Sequence, residues 1–217
     1  MADTKPISYR KLDHIIDEEV MAYLDSHLYN QAGIVFERVD DIETQRNGCD
    51  VVFSCEAVGI KDAIIDEKTA THYCNRDLNT FAFELSQVTK KGYIVDGWFL
   101  SNSCTTEYYM LVYLKADIPN MEDDKPDWRK ITRDNITQAE YLLIKKYDIL
   151  DYLNSIGFDK QRLQRGCNYL RSHNDRKRFD LSDDAKLVIS RQFKECPVNA
   201  VIAKDRLMEL SKMHGFV

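Results

Sequence analysis

Two short apolar runs, each bounded by acid, constrain this chain most. Asp50 opens Val51-Val52-Phe53, and Ala63-Ile64-Ile65 runs into Asp66-Glu67-Lys68 sixteen residues after the first acid. Residues rich in valine, isoleucine and phenylalanine over such short spans read as buried strands. A Gly59-containing bend between Glu56 and Lys61 makes the two runs a hairpin. Alternate side chains of a strand share a face, so Asp66 and Lys68 project the same way. The letters alone decide little. Asp-x-Lys begins at Asp3, Asp66, Asp123, Asp175 and Asp184, and in a chain with 30% charged residues that is near chance. Only the Asp66 copy follows an apolar run.

Around this hairpin the pattern predicts a mixed α/β chain. Leu12–Leu28 has helical spacing, with Asp13, Asp17, Glu18 and Asp25 on its outer face. Gly33 ends that helix and Ile34-Val35-Phe36 starts a strand. Asp40–Gly48 is a turn, Asp50–Cys55 a second strand and Asp62–Ala70 a third. Leu78, Phe81, Leu85 and Val88 suggest a second helix over Leu78–Lys90. Tyr93–Ser101 and Tyr108–Lys115 read as strands. The acidic, proline-containing stretch Asp117–Asp127 suggests a hinge, dividing an α/β core at 1–118 from a mainly helical extension at 119–217. That extension is expected to hold helices at Thr137–Lys146, Lys146–Ile156, Asp159–His173 and Asp205–Met213, with strands at Lys186–Phe193 and Pro197–Ile202.

Composition bounds the function. No apolar stretch approaches membrane-spanning length, and the first residues lack the apolar core of a signal peptide, so a cytoplasmic protein without a membrane partner is expected. The six cysteines form no Cys-x-x-Cys pair and read as reduced, mostly buried thiols; His72 and Cys74 are the only weak zinc candidates. Net charge is −6, yet Lys160–Arg178 carries seven basic residues against one acid, Asp175. Such a strip suits either phosphate contact, with Arg162, Arg165 and Arg171 as candidates, or a solvated helix face. Gln87 is a further candidate for a nucleotide contact.

Phosphodiester hydrolysis needs a metal ion on the phosphate, an activated water and relief of developing charge. Mg²⁺ takes oxygen ligands and keeps several waters, so two or three carboxylates suffice. Asp50 and Asp66 are the candidate ligands, joined by the backbone carbonyl of Glu67 and by Glu18 or Glu19 from the first helix. Lys68 is placed to orient the water and stabilise charge. Glu84 is a further metal candidate, His72 a candidate proton donor, and Trp98, Tyr108 and Tyr109 candidate base-stacking residues; core, surface or loop roles compete for each.

With Gly48-Cys49-Asp50 as its first element and Ile64-Ile65-Asp66-Glu67-Lys68 as its second, the chain resembles the PD-(D/E)XK nuclease superfamily, whose restriction-endonuclease-like core runs helix, three-stranded meander, helix, strand. The proline often found before the first acid is Cys49 here. The resemblance implies an Mg²⁺- or Mn²⁺-dependent endonuclease or exonuclease acting on nucleic acid, DNA in the first instance, with Asp50, Asp66 and Lys68 in the metal-binding and catalytic roles. Thr80–Leu85, Gly97-Trp98-Phe99, Thr106–Tyr109 and Pro197-Val198-Asn199 also resemble segments of a poorly characterised group of bacterial and phage proteins. The residues leave open a nucleic-acid-binding module without turnover and a protein-interaction module; a cysteine hydrolase lacks a supporting Cys–His pair. Homo-oligomerisation is left open.

Overall fold

The computed structural model describes residues 8–121 and 124–217, so the Asp-x-Lys copies that begin at Asp3 and Asp123 lie outside it in whole or part. Among the described residues it is a mixed α/β structure with five α-helices and two sheets. Helix α1 (Arg10–Leu24) continues into a π-turn at Asp25–Tyr29, close to the expected span. Ile16, Val20, Leu24 and Leu28 recur every fourth residue and are all buried. Strands β1 (Ile34–Arg38), β2 (Val51–Cys55) and β3 (Ile60–Thr69) form an antiparallel meander. Gly59 occupies the bend between the last two at φ +68°, the left-handed region that glycine enters without strain. The expected turn at Asp40–Gly48 contains a short helix, α2 (Ile42–Arg46), whose Asp41 cap accepts from the Thr44 N–H at 2.7 Å.

The predicted helix at Leu78–Lys90 is instead strand β4 (Thr80–Val88). Phe81, Phe83 and Leu85 alternate into the core while Ala82 faces out, a period of two that the four-residue stripe concealed. The strand expected at Tyr93–Ser101 is reduced to β5 (Ile94–Asp96), whereas β6 (Tyr108–Ala116) is as expected. The predicted helix at Thr137–Lys146 is strand β7 (Ile136–Lys145). Its Leu142 and Ile144 enter one core and Ala139, Tyr141 and Leu143 the other, so both faces are apolar and alternation is invisible in sequence.

Helices α3 (Lys146–Ser155) and α4 (Lys160–Ser172) are where the periodicity puts them. Strands β8 (Arg178–Asp180), β9 (Ala185–Ile189) and β10 (Val198–Ala203) follow, then α5 (Lys204–Leu210) and β11 (Ser211–Phe216), the last replacing the end of the predicted closing helix. The region after 118 is therefore not a mainly helical extension. It gives β7 and β11 to the first sheet, ordered β1-β2-β3-β6-β7-β11, and β8, β9 and β10 to the second, ordered β5-β4-β10-β9-β8. Among the described residues only β3 and β6 pair in parallel.

The first sheet is buried on both faces. One face packs against α1 through Val51, Phe53, Ile65, Met110 and Leu143. The other, through Tyr109, Leu111, Leu142 and Ile144, meets the second sheet together with α3 and α4. No helix among the described residues is long and apolar enough to cross a membrane. All six cysteines are free, four of them buried.

Candidate active site

The site forms where β2 begins and β3 ends. Antiparallel pairing sets Val51 opposite Ile65, and the Asp50 N–H donates to the Ile65 carbonyl at 2.9 Å. Asp50 Oδ2 in turn accepts from the Glu67 N–H at 2.8 Å. Asp50 is only 8% exposed and Asp66 1%, so both carboxylates sit inside the fold. Lys68, two residues along the same strand face, pairs with Asp66 Oδ1 and lies 3.3 Å from the Glu67 carbonyl. The three residues predicted to act together are thus brought together.

The intervening Glu67 points the other way. Its side chain is 5% exposed, pairs with Arg38, and accepts from the Tyr29 hydroxyl at 2.7 Å; Arg38 also reaches Asp25. The side chain is a structural anchor, and only the Glu67 carbonyl faces Lys68. Gly48 fixes the approach to Asp50. It sits at φ +77°, its carbonyl accepts from Thr106 Oγ1 at 3.0 Å, and an added Cβ would stand 2.2 Å from that oxygen.

The helix acid is not one of those predicted. Glu18 faces solvent beside His14 at 3.6 Å, and Glu19 is drawn to Arg133, accepting from its N–H at 2.8 Å. Asp17 takes the place instead. It shares one α1 stripe with Lys11, His14 and Met21, and that stripe walls a cavity of about 500 Å³ whose floor includes Asp50, Glu67 and Lys68. The signal is present in the helical spacing: Asp17 directly follows buried Ile16 and stands three residues from Val20 at the margin of the apolar face.

Electrostatics set this cluster apart. Burial raises the Asp17 carboxyl to about 6, with Lys68 opposing and Asp13 adding to the rise. Burial likewise pushes the Asp50 carboxyl far above the carboxylate range, against the pull of Lys68 and with the help of the Asp66 and Glu67 charges. Burial works to lower Lys68, but Asp66, Asp50 and Asp17 outweigh it and hold its ammonium protonated. Lys68 is thus paired with Asp66 and feels the charges of Asp50 and Asp17, while Arg38 serves the separate pair Asp25 and Glu67. Among the described residues no three His, Cys, Asp or Glu side chains converge closely enough to hold an ion unaided. Any cation here would be completed by water, the Glu67 carbonyl or substrate, as Mg²⁺ coordination allows. The weak zinc candidates do not converge either: Cys74 is buried, while His72 bonds Asp13 at 2.8 Å and stacks on Trp128 at 4.0 Å.

Lys68 also borders a second cavity, of about 520 Å³, which continues over the outer face of β4 and β10 past Glu84, Trp98 and Asn199. Glu84 reaches this cavity from a strand rather than from the predicted helix. Trp98 lies over the Lys68 ammonium, 5.2 Å from ring centroid to nitrogen. Tyr109 is fully buried and belongs to the core. Comparison with protein-family models, with curated proteins and with solved structures finds no match to this chain.

The predicted basic strip does not gather at the site. Arg162 donates to the Gly157 carbonyl at 2.6 Å, Arg165 to Gln161 at 3.1 Å, and Arg171 to Ser86 Oγ at 2.9 Å. Arg171 ties α4 to β4, Arg162 ties it to the preceding loop and the Arg165 contact stays within the helix; none of the three arginines lines the cavities around Asp50 and Lys68. Gln87, opposite Val95 in the β4–β5 pair, is likewise outside them. Lys160, from the start of the strip, borders a third cavity beside Thr106.

Proposed function

We propose that this protein is a divalent-metal-dependent nuclease that hydrolyses phosphodiester bonds of nucleic acid, with Asp50, Asp66 and Lys68 at its centre and Asp17 as the acid from the helix. The observation that carries the reading is the charge of the cluster. Three carboxylates and one ammonium gather in a largely buried setting, and burial pushes two of those carboxylates, Asp17 and Asp50, towards protonation against the pull of Lys68. A divalent cation supplies what the cluster lacks. The donor set is all oxygen, which suits Mg²⁺ or Mn²⁺ over zinc.

The order of elements lends further support: α1, the meander β1–β2–β3, then β6 beside β3. A restriction-endonuclease-like core would have its second helix where β4 and β5 stand in this chain. An Mg²⁺ or Mn²⁺ ion held by Asp50 and Asp66 would supply Lewis-acid chemistry for the phosphate and the attacking water. Asp50 and Asp66 position that charge at the junction of β2 and β3. Lys68, held protonated by its acidic neighbours, donates to oxygen atoms that gain charge as the bond breaks. Trp98 covers the lysine on one side, limiting water around it.

Titration of Mg²⁺ or Mn²⁺ into the wild type and Asp66→Ala, with thermal melting and cleavage of DNA and RNA as readouts, tests the reading. Metal-dependent stabilisation and cleavage in the wild type, both absent in the variant, are expected. Metal binding without cleavage of either nucleic acid removes the enzyme assignment. Absence of any divalent stabilisation leaves the binding-module alternative.

A further inference from the structure

The third cavity, of about 680 Å³, lies between the loop that precedes β6 and the start of α3. Among the described residues its lining includes Lys145, Lys146 and Lys160 against a single carboxylate, Glu107. Glu107 is itself turned towards β3, where its Oε2 accepts from the Ile64 N–H at 3.3 Å. Lys160 is held in place by the Leu100 carbonyl at 2.7 Å, Asn102 Oδ1 at 2.8 Å and, outside the lining, the Asp96 carboxylate at 3.6 Å. Three ammonium groups around one cavity, in a chain of net charge −6, mirror the carboxylate cluster described above.

We propose that this cavity binds a phosphate group of the nucleic-acid strand next to the one being hydrolysed, with Lys145 and Lys146 as its contacts and Lys160 as an anchored third charge. The proposal rests on the nuclease reading for the identity of the strand. Lysine suits the role as a point charge that tolerates several phosphate geometries. Burial works to lower the Lys146 ammonium, the neighbouring Cys104 and Asp66 oppose this, and Lys160 adds repulsion. An anion between the lysines relieves that repulsion. Lys145 is also the N-terminal cap of α3 and offers it no side-chain acceptor, and the acid of the helix's first turn, Asp148, is paired with Lys212 at 2.8 Å.

The cavity is joined to the candidate active site through Thr106. Its hydroxyl bonds the Gly48 carbonyl, lies 3.5 Å from Asp66 Oδ2, and belongs to the cavity lining. Tyr108 at the cavity edge pairs with Ile65, immediately before Asp66. A strand whose reacting phosphate sits at Asp66 therefore has this basic cavity on one flank.

The test compares the wild type with Lys145→Ala/Lys146→Ala, measuring binding of a short DNA duplex without divalent metal over a range of salt. Loss of the one phosphate contact that the two lysines share is expected to lower the salt slope by about one unit, with metal-induced stabilisation unchanged. Lys145→Glu serves as a second variant if the double variant does not fold, with a weaker affinity expected. Unchanged affinity and slope overturn the proposal while leaving the nuclease reading intact if metal-dependent cleavage persists. A lysine-dependent slope in a protein that shows neither metal stabilisation nor cleavage keeps the phosphate site and ends the nuclease reading. Stabilisation by inorganic phosphate that is lost in the variant, with no change in duplex binding, assigns the cavity to a free anion and overturns the strand assignment.

Discussion

The Glu67 N–H donates to Asp50 Oδ2 at 2.8 Å, so the backbone of one acidic strand holds the carboxylate of the next. An asparagine side chain in place of Asp50 can accept the same bond through its amide oxygen. Asp50→Asn is therefore expected to keep the fold and lose cleavage. In metal-free buffer above the ordinary carboxylate range it should also melt higher than the wild type, because it removes a buried charge that repels Asp66 and Glu67. A lower melting temperature at pH 8 would show that Asp50 is stabilising rather than strained.

Asp17 gives a pH signature. Its folded-state pKa is raised, so between 3.8 and about 6 the folded protein binds more protons than the unfolded chain. Stability therefore falls as pH rises through that window. Metal-free wild type should show this decline, and Asp17→Asn should flatten it. Saturating Mg²⁺ should oppose the decline, since the ion binds the ionised form. Urea melts at pH 4, 5, 6 and 7 with and without Mg²⁺ measure all three slopes; an unchanged slope in Asp17→Asn places the titration elsewhere.

Lys68→Ala separates binding from turnover. The lysine carries no ligand atom for a cation, so divalent stabilisation should remain. Cleavage should drop by roughly 10²-fold or more, the range for loss of a group that assists charge or proton movement. Full activity in this variant removes the lysine from the mechanism.

Arg38 links Asp25 beneath α1 to Glu67 on β3, with its own side chain 16% exposed. Removing one partner of a buried pair leaves the others unpaired, and Arg38→Ala should cost about 3–5 kcal/mol in denaturant unfolding. A cost below about 1 kcal/mol would mean the pair is solvated in solution.

Asp184 provides a stability control remote from the acidic cluster. Burial opposes its ionisation, but bonds from Ser182 at 2.6 Å, from Tyr152 and from Arg206 at 2.8 Å prevail and hold its carboxyl at about 2. A depressed pKa adds stability that is complete above the unfolded value of 3.8 and lost as pH falls towards about 2. Asp184→Asn should be less stable than wild type at pH 7, with the difference narrowing over that window. A constant difference would point to packing alone.

The hairpin that carries Asp50 and Asp66 is legible in the sequence because apolar runs, a glycine bend and flanking acids agree at every level. So are α1, α3 and α4, whose apolar faces repeat at helical spacing. Strands β4 and β7 are not. Phe81 and Leu85 fit a helix as well as a strand, and only the inward position of Phe83 decides between them. In β7 the run Tyr141–Ile144 is buried on both faces, which erases the alternation that marks a strand. Asp17 escapes a sequence reading because a carboxylate at the edge of an apolar stripe looks solvated until the sheet beneath it is known. The arginines of α4 carry the right charge for phosphate, but a partner can lie far away in sequence, as Ser86 does for Arg171.

The parallel pairing of β3 with β6 has a kinetic consequence. Asp66 faces Tyr109 across that pair, and the intervening chain includes two strands of the other sheet. The hairpin can close early from local contacts, but the wall behind Asp66 must wait for a long-range crossover. A nascent chain that has emerged only through β3 carries its acids without the packing that desolvates them. The acidic cluster at the β2–β3 junction therefore reaches its buried setting late, after the second sheet has had the chance to form.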